Sequence, residues 1–355
     1  MKKLIALILS LAMILSLAAC GAKEEPAATQ AAAPAATEAA PVETEAKVEY
    51  ETVELQMATS YAENSDYIRF MNEAAAAVEE KTGGAVKITI FPGNQLGSTM
   101  DCVEMALNGA NIMAGLGFAN LSTYVKEASI PGYPYACADY DEMITLTNSE
   151  WWAGVKQQLL DQWGIVPTMY ISNGYRQMVG SVPVKSAADF APVITRIGLG
   201  TIGQSFIAAT GGTPTTTSSF NDCYSAIQTG MFELCEGEME LLCTSGLYEV
   251  ADYLSLTNHM MNPAMFFVTK TIWDKIAPEH QEILLAEFEA ASRKNWDNAI
   301  AKSEEWVKTY EEAGVTVIRT EEIDLESMKA LIPAIMELEG VDAATYDKFL
   351  EAKKG

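Results

Sequence analysis

Arginine is the residue type to start from, because its scarcity makes each one informative. Only Arg69, Arg176, Arg196, Arg293 and Arg319 occur in 355 residues, and neither Lys nor Arg appears between Arg196 and Lys270. A guanidinium isolated in acidic sequence needs an anionic partner, either an internal Asp or Glu or a bound ligand. The setting of Arg196 favours the ligand. It ends an apolar run carrying Val193, Ile194 and Ile197, and Gly198, Gly200 and Gly203 follow it into a helix expected from about Gln204. Ser186 and Asp189 read as the N-cap of the turn before that run. A guanidinium fork beside a helix N-terminus suits a carboxylate: it offers two parallel charge-assisted hydrogen bonds, and the helix end adds orphan N–H donors. Arg176, after Asn173-Gly174-Tyr175, is a second donor of the same kind or a structural ion pair.

Other chemistries fit less well. Gly198, Gly200 and Gly203 also match the G-x-G-x-x-G dinucleotide fingerprint, with Asp222 about twenty residues on. A secreted dinucleotide-dependent oxidoreductase using residues 198–203 is therefore the alternative reading. Against it, the motif lies mid-chain behind an export segment, and Asp222 starts a helix where the fingerprint needs a strand end. The only histidines are His259 and His280, which leaves neither a His-based metal cluster nor a Ser-His-Asp triad, and no G-x-S-x-G elbow occurs. No metal and no cofactor are expected. The formal charge of −25 argues against nucleic acid, whose phosphates it would repel.

The N-terminus carries address information. Lys2 and Lys3 precede the apolar run Leu4–Leu15, which ends in Leu17-Ala18-Ala19-Cys20-Gly21. Residues 1–19 read as a signal peptide. The small residues before Cys20 resemble the lipobox of bacterial lipoproteins, in which that cysteine is lipid-modified. Residues 20–51 are rich in Ala, Pro, Glu and Thr and read as an acidic tether that buries no core. With Cys20 lipidated, Cys102, Cys137, Cys223, Cys235 and Cys243 remain, an odd number without C-x-x-C spacing; a Cys235–Cys243 bridge stays open.

The folded part alternates strand and helix. Strands are expected at 53–57, 86–91, 112–116, 165–171, 193–197, between Gly212 and Phe220, at 231–235 and at 315–318. Helices are expected at 65–82, up to Asn108, 140–147, 150–163, about 204–210, 222–229 and 278–313. This alternation marks an α/β fold with a largely parallel sheet. The last of these helices, opened by Pro278, is long enough to act as a strut between two lobes.

These segments carry a resemblance. Gly84 to Gly97 with its Phe91-Pro92-Gly93-Asn94-Gln95-Leu96-Gly97 ending, Asp189 to Arg196, Phe220 to Gly230 followed by Glu236, and Thr257-Asn258-His259 stand in the order seen in TRAP-transporter solute receptors. The chain thus resembles the C4-dicarboxylate-receptor-like family over about Leu55–Ala313. That likeness implies a bilobal periplasmic-binding-protein-like fold with two sheets and hinge-linked lobes. Lobe 1 would hold 52–174 and 262–302. Lobe 2 would hold 175–261 and 303–355, with hinges near 173–176 and 258–261. It implies an extracytoplasmic monomer, lipid-anchored on the lipobox reading of Cys20, that captures a small organic acid and delivers it to membrane permease subunits; whether it also signals is open. The implied ligand contacts are Arg196, Arg176 and Phe220, with Tyr61, Phe118, Glu236 and Gly237 as further cleft residues. Pro192 and Gly198 depart from the family's glycine and proline. Gly237 and Gly117 stand where some members place polar side chains, which implies room for a bulkier or more apolar acid.

Overall fold

Alternation shapes the first strands as expected. In β1 (Val53–Ala58), Val53, Leu55 and Met57 face inward while Glu54 and Gln56 face out. The helix Asp66–Lys81 starts at Ser65, whose Oγ accepts from the Ile68 N–H at 3.3 Å. It buries Ile68, Met71, Ala75 and Val78, and Gly83 and Gly84 at positive φ turn the chain back. β2 (Val86–Phe91) then pairs parallel to β1. A second helix, Thr99–Leu107, begins in a reciprocal Ser98–Asp101 capping box and leads to β3 (Ile112–Gly117). Helices Tyr140–Thr147 and Glu150–Trp163 precede β4 (Ile165–Ile171).

The chain then crosses to a second sheet: β5 (Arg176–Gly180), β6 (Ile194–Arg196), β7 (Thr213–Thr215), β8 (Leu234–Glu238) and β9 (Tyr253–Met260). It returns for β10 (Ala264–Thr269) and finishes in the second sheet with β11 (Thr316–Ile318). This computed structural model describes residues 50–355 apart from 199, 218, 219, 221 and 262. The expected signal peptide, Cys20 and nearly all of the tether lie outside the described residues.

The strand orders are β2-β1-β3-β10-β4 and β11-β9-β5-β8-β6-β7. Both sheets are mixed, which corrects the expectation of a largely parallel one. β10 enters from the second sheet and runs antiparallel between β3 and β4, and β5 is antiparallel to both β8 and β9. Three strands in the middle of these sheets, β5, β9 and β10, were not predicted. The strand expected at 231–235 sits at 234–238, and the helix after Arg196 begins at Gly200 (φ +60) and ends at Ala209.

The helix Pro278–Glu312 has 35 residues and so extends about 52 Å at 1.5 Å per residue. Its Leu284, Phe288 and Ala291 join the core of the first sheet, and its Val307 and Tyr310 join the core of the second. Another apolar cluster draws on both sides of the sheet division: Tyr133, Tyr140 and Met143 share it with Phe190, Phe206 and Phe349. The cores therefore do not divide where the sheets do. The five described cysteines are free, so Cys235–Cys243 is not a bridge here. No helix among the described residues is long and apolar enough to cross a membrane.

Candidate functional site

A cavity of about 320 Å³ lies where the two sheets face each other. The first sheet supplies Thr59, Ser60 and Tyr61 beyond the end of β1, Gly115 and Gly117 of β3, and Phe266 of β10. The crossing contributes Asn173, and the second sheet contributes Arg176 and the Gly198 loop. Strand C-terminal ends facing a crevice are the usual ligand position of open α/β sheets. The volume suits a small solute.

Arg176 begins β5 directly opposite Glu238 of β8, with Glu236 two residues away on the same face. Its Nη1 donates to Glu238 Oε1 at 2.7 Å and its Nε donates to Glu236 Oε2. Burial alone would lower the arginine's pKa, but the two carboxylates outweigh it and raise it further. Arg176 is thus the structural ion pair that the sequence left open, and it touches the cavity as well.

Glu236 is fully buried. Its Oε1 accepts the Gly198 N–H at 2.8 Å, its Oε2 holds Arg176, and His259 Nε2 lies 3.8 Å away. Burial pushes its carboxyl up, yet the charge and hydrogen bond of Arg176, with His259 close by, hold it well below the usual range. Burial drives His259 the other way, to a lowered pKa and a neutral ring, with Nδ1 2.8 Å from the Thr257 hydroxyl. A local irregularity in the β5–β9 register, between Arg176↔Met260 and Met178↔Ser255, brings His259 to this place. Glu236 therefore holds other groups and does not line the cavity, which corrects its placement as a ligand contact.

Arg196 ends β6, as the sequence predicts. Its Nε donates to Thr217 Oγ1 at 3.2 Å, and the Phe220 ring lies 5.0 Å from the guanidinium carbon. The closest described carboxylate oxygen, Glu236 Oε1, is 3.8 Å away, outside hydrogen-bond reach. A Cβ on Gly198 would stand 3.0 Å from Arg196 Nη1, so the guanidinium lies immediately behind a cavity-lining glycine. The Gly198 N–H binds Glu236. That carboxylate beneath the glycine loop would repel a pyrophosphate, which disfavours the dinucleotide alternative. Asp222 starts the helix Asp222–Thr229, also unlike the fingerprint.

Tyr61 lines the cavity, stacked on Tyr67 with ring centroids 4.4 Å apart, and its hydroxyl accepts from Asn173 Nδ2. Burial, then the Glu238 charge, raise its pKa, so the phenol stays protonated. Phe118 is not a cleft residue. Its ring is fully buried against Trp152 and Tyr170, because it follows β3 on the face turned into the core. Gly237 is not open either: a Cβ there would sit 3.0 Å from Leu242 and 3.4 Å from Phe220. Gly117 does line the cavity, with only Asn120 Nδ2 near its missing side chain, at 3.6 Å. Asn120, Asn173 and Glu238 escaped the sequence reading. For Glu238 a signal existed: residues i and i+2 of a strand share a face, so Glu236 and Glu238 should act together. Among the described residues no cluster of His, Cys, Asp or Glu could hold a metal ion.

Comparison with known proteins places this geometry. The family model of the bacterial extracellular solute-binding proteins, family 7 (DctP), matches residues 57–338. The sialic acid-binding periplasmic protein SiaP of Vibrio cholerae is 23% identical over 68% of this chain and 75% of its own. The C4-dicarboxylate-binding periplasmic protein DctP of Rhodobacter capsulatus is 26% identical over 67% and 71%. Among solved structures, an apo, open TRAP periplasmic solute-binding protein from Escherichia fergusonii superposes with a TM-score of 0.76 at 23% identity, covering 84% of this chain and 99% of that one. A relative from Actinobacillus succinogenes with bound L-galactonate gives 0.75 at 24% identity, covering 85% and 99%. The chain belongs to family 7 of the bacterial extracellular solute-binding proteins, the solute receptors of TRAP transporters.

Proposed function

We propose that this receptor captures a small organic carboxylate at Arg196 and hands it to TRAP permease subunits. The observation that carries this reading is the state of Arg196. It is 8% exposed, behind a side-chain-free wall of the cavity, and no carboxylate among the described residues lies within hydrogen-bond distance. A desolvated guanidinium so placed gains most from an anion entering the cavity. Phe220 contributes its ring face, and Arg176 adds field more than free donors because Glu236 and Glu238 already engage it.

The two halves, 52–174 with 262–302 and 175–261 with 303–355, move about the crossings at 173–176 and 258–261, and closing them removes water from the ion pair. Support comes from the strand links β4–β5 and β9–β10, where the chain changes sheets. Cys20 anchors a monomer to the outer face of the membrane through the acidic tether, a reading that rests on sequence.

The test is mass spectrometry of whatever small molecule is released when freshly purified protein is denatured, followed by calorimetry with that compound. We expect an acid, and Arg196→Ala should lose roughly 2–5 kcal/mol of binding, the scale for removing one member of a desolvated charge pair. Unchanged affinity in that variant, with the fold intact, removes the carboxylate clamp.

A further inference from the structure

The charge around the cavity balances before any solute arrives. Arg176 and Arg196 face Glu236 and Glu238, and all four are under 9% exposed. His259 is held neutral by burial. A lone carboxylate closed into this space leaves one uncompensated negative charge, and a dicarboxylate leaves two. Burying net charge is costly unless it is paired. Arg176 offers an incoming anion little relief, since Glu238 Oε1 already holds its Nη1 at 2.7 Å. A second carboxylate approaching Arg176 would meet Glu238 there.

The same end of the cavity has the features that recognise a cation. Tyr61, Tyr67 and Phe266 give it aromatic walls, and the two tyrosines are stacked. The Glu238 charge reaches Tyr61, where it adds to burial in raising the phenol pKa. Aromatic faces beside a carboxylate attract an ammonium group through both the ring quadrupole and charge. Glu238 takes part through its electric field and its hold on Arg176.

We infer that the solute is a zwitterion, its carboxylate at the Arg196–Gly198 wall and a cationic nitrogen at the aromatic wall of Tyr61, Tyr67 and Phe266, with Glu238, bonded to Arg176 behind that lining, setting this specificity. This rests on the carboxylate reading above and narrows it. A zwitterion leaves the closed cluster neutral, satisfies Arg196, and sets a cation against the aromatic walls, within the field of Glu238. The cavity of about 320 Å³ limits it to a small molecule.

The test is calorimetry with linear acids of three to six carbons that carry an ammonium, a hydroxyl or a second carboxylate, at the α carbon or the far end. Wild-type protein should bind the best ammonium acid at least about tenfold more tightly than its matched hydroxy acid or dicarboxylate. Glu238→Gln should lower that preference by about tenfold and improve dicarboxylate binding. A hydroxy acid or dicarboxylate at the head of the wild-type ranking overturns the inference while leaving the carboxylate receptor standing. So does a Glu238→Gln variant, folded by circular dichroism, with the same ranking. If that variant does not fold, the wild-type ranking decides. Should no acid of any class bind, and the released compound carry no carboxyl group, the underlying reading fails instead.

Discussion

Glu236 shows how one side chain can organise a site without touching what the site binds. It fixes Arg176, takes the Gly198 N–H and sits 3.8 Å from both Arg196 and His259. Removing its charge leaves Arg176 with Glu238 alone and the buried cluster, which also holds Arg196, with one positive charge in excess. We expect Glu236→Gln to cost about 3–5 kcal/mol in urea unfolding, the range for breaking a buried pair; a loss below about 1 kcal/mol would mean the network relaxes freely. Acid acts on the same residues. The Glu236 pKa is depressed, so its stabilisation is complete above the ordinary value of 4.5 and is lost as pH falls below it. The His259 pKa is also depressed, so the unfolded chain takes up a proton near 6.5 that the folded chain refuses. Both effects lower stability on acidification, and His259 acts first. Melting temperatures should fall between pH 7 and 5, and His259→Phe should flatten that interval; a flat wild-type curve would contradict this. In the sequence, Arg196 stood out through scarcity and its strand-end setting. Glu236, Phe118 and Gly237 were misplaced because residue type and family likeness name candidates, whereas facing depends on which side of a strand or turn each occupies.

At the scale of elements, β3 and β10 shape the cavity through one cross-strand pair. Phe266 lies directly opposite Gly115, and a Cβ on that glycine would come within 2.5 Å of the ring. Gly115→Ala should push the ring into the solute space. We expect about 1–3 kcal/mol of lost stability from overpacking, together with weaker solute binding seen by calorimetry. Unchanged affinity would show that the ring can yield elsewhere. The crossings are tied as well: Gln177 and Asn258 exchange hydrogen bonds of 2.6 and 2.9 Å, with Asn258 at φ +44. From the long helix, Asn295 donates to Ser172 O and Asn173 Oδ1. The amphipathic helices and the strands between them were legible, since each carries its own period and caps. β5, β9 and β10 were not. They are buried on both faces and defined by partners distant in sequence, so no alternation betrays them.

At the scale of the whole molecule, the charge of −25 sets the approach of a solute. A simple anion meets long-range repulsion that salt screens, so its association rate should rise with ionic strength, whereas that of a zwitterion should hardly change. Stopped-flow traces at several salt concentrations measure this; a rate that falls with salt would show that the arginines dominate the field. The bilobal plan was legible from strand–helix alternation together with family likeness, but the shared cluster of Tyr133, Tyr140, Phe190, Phe206 and Phe349 was not. That cluster constrains how the protein can breathe. Oily side chains from both halves interlock there, so prying the halves apart at that point would wet them.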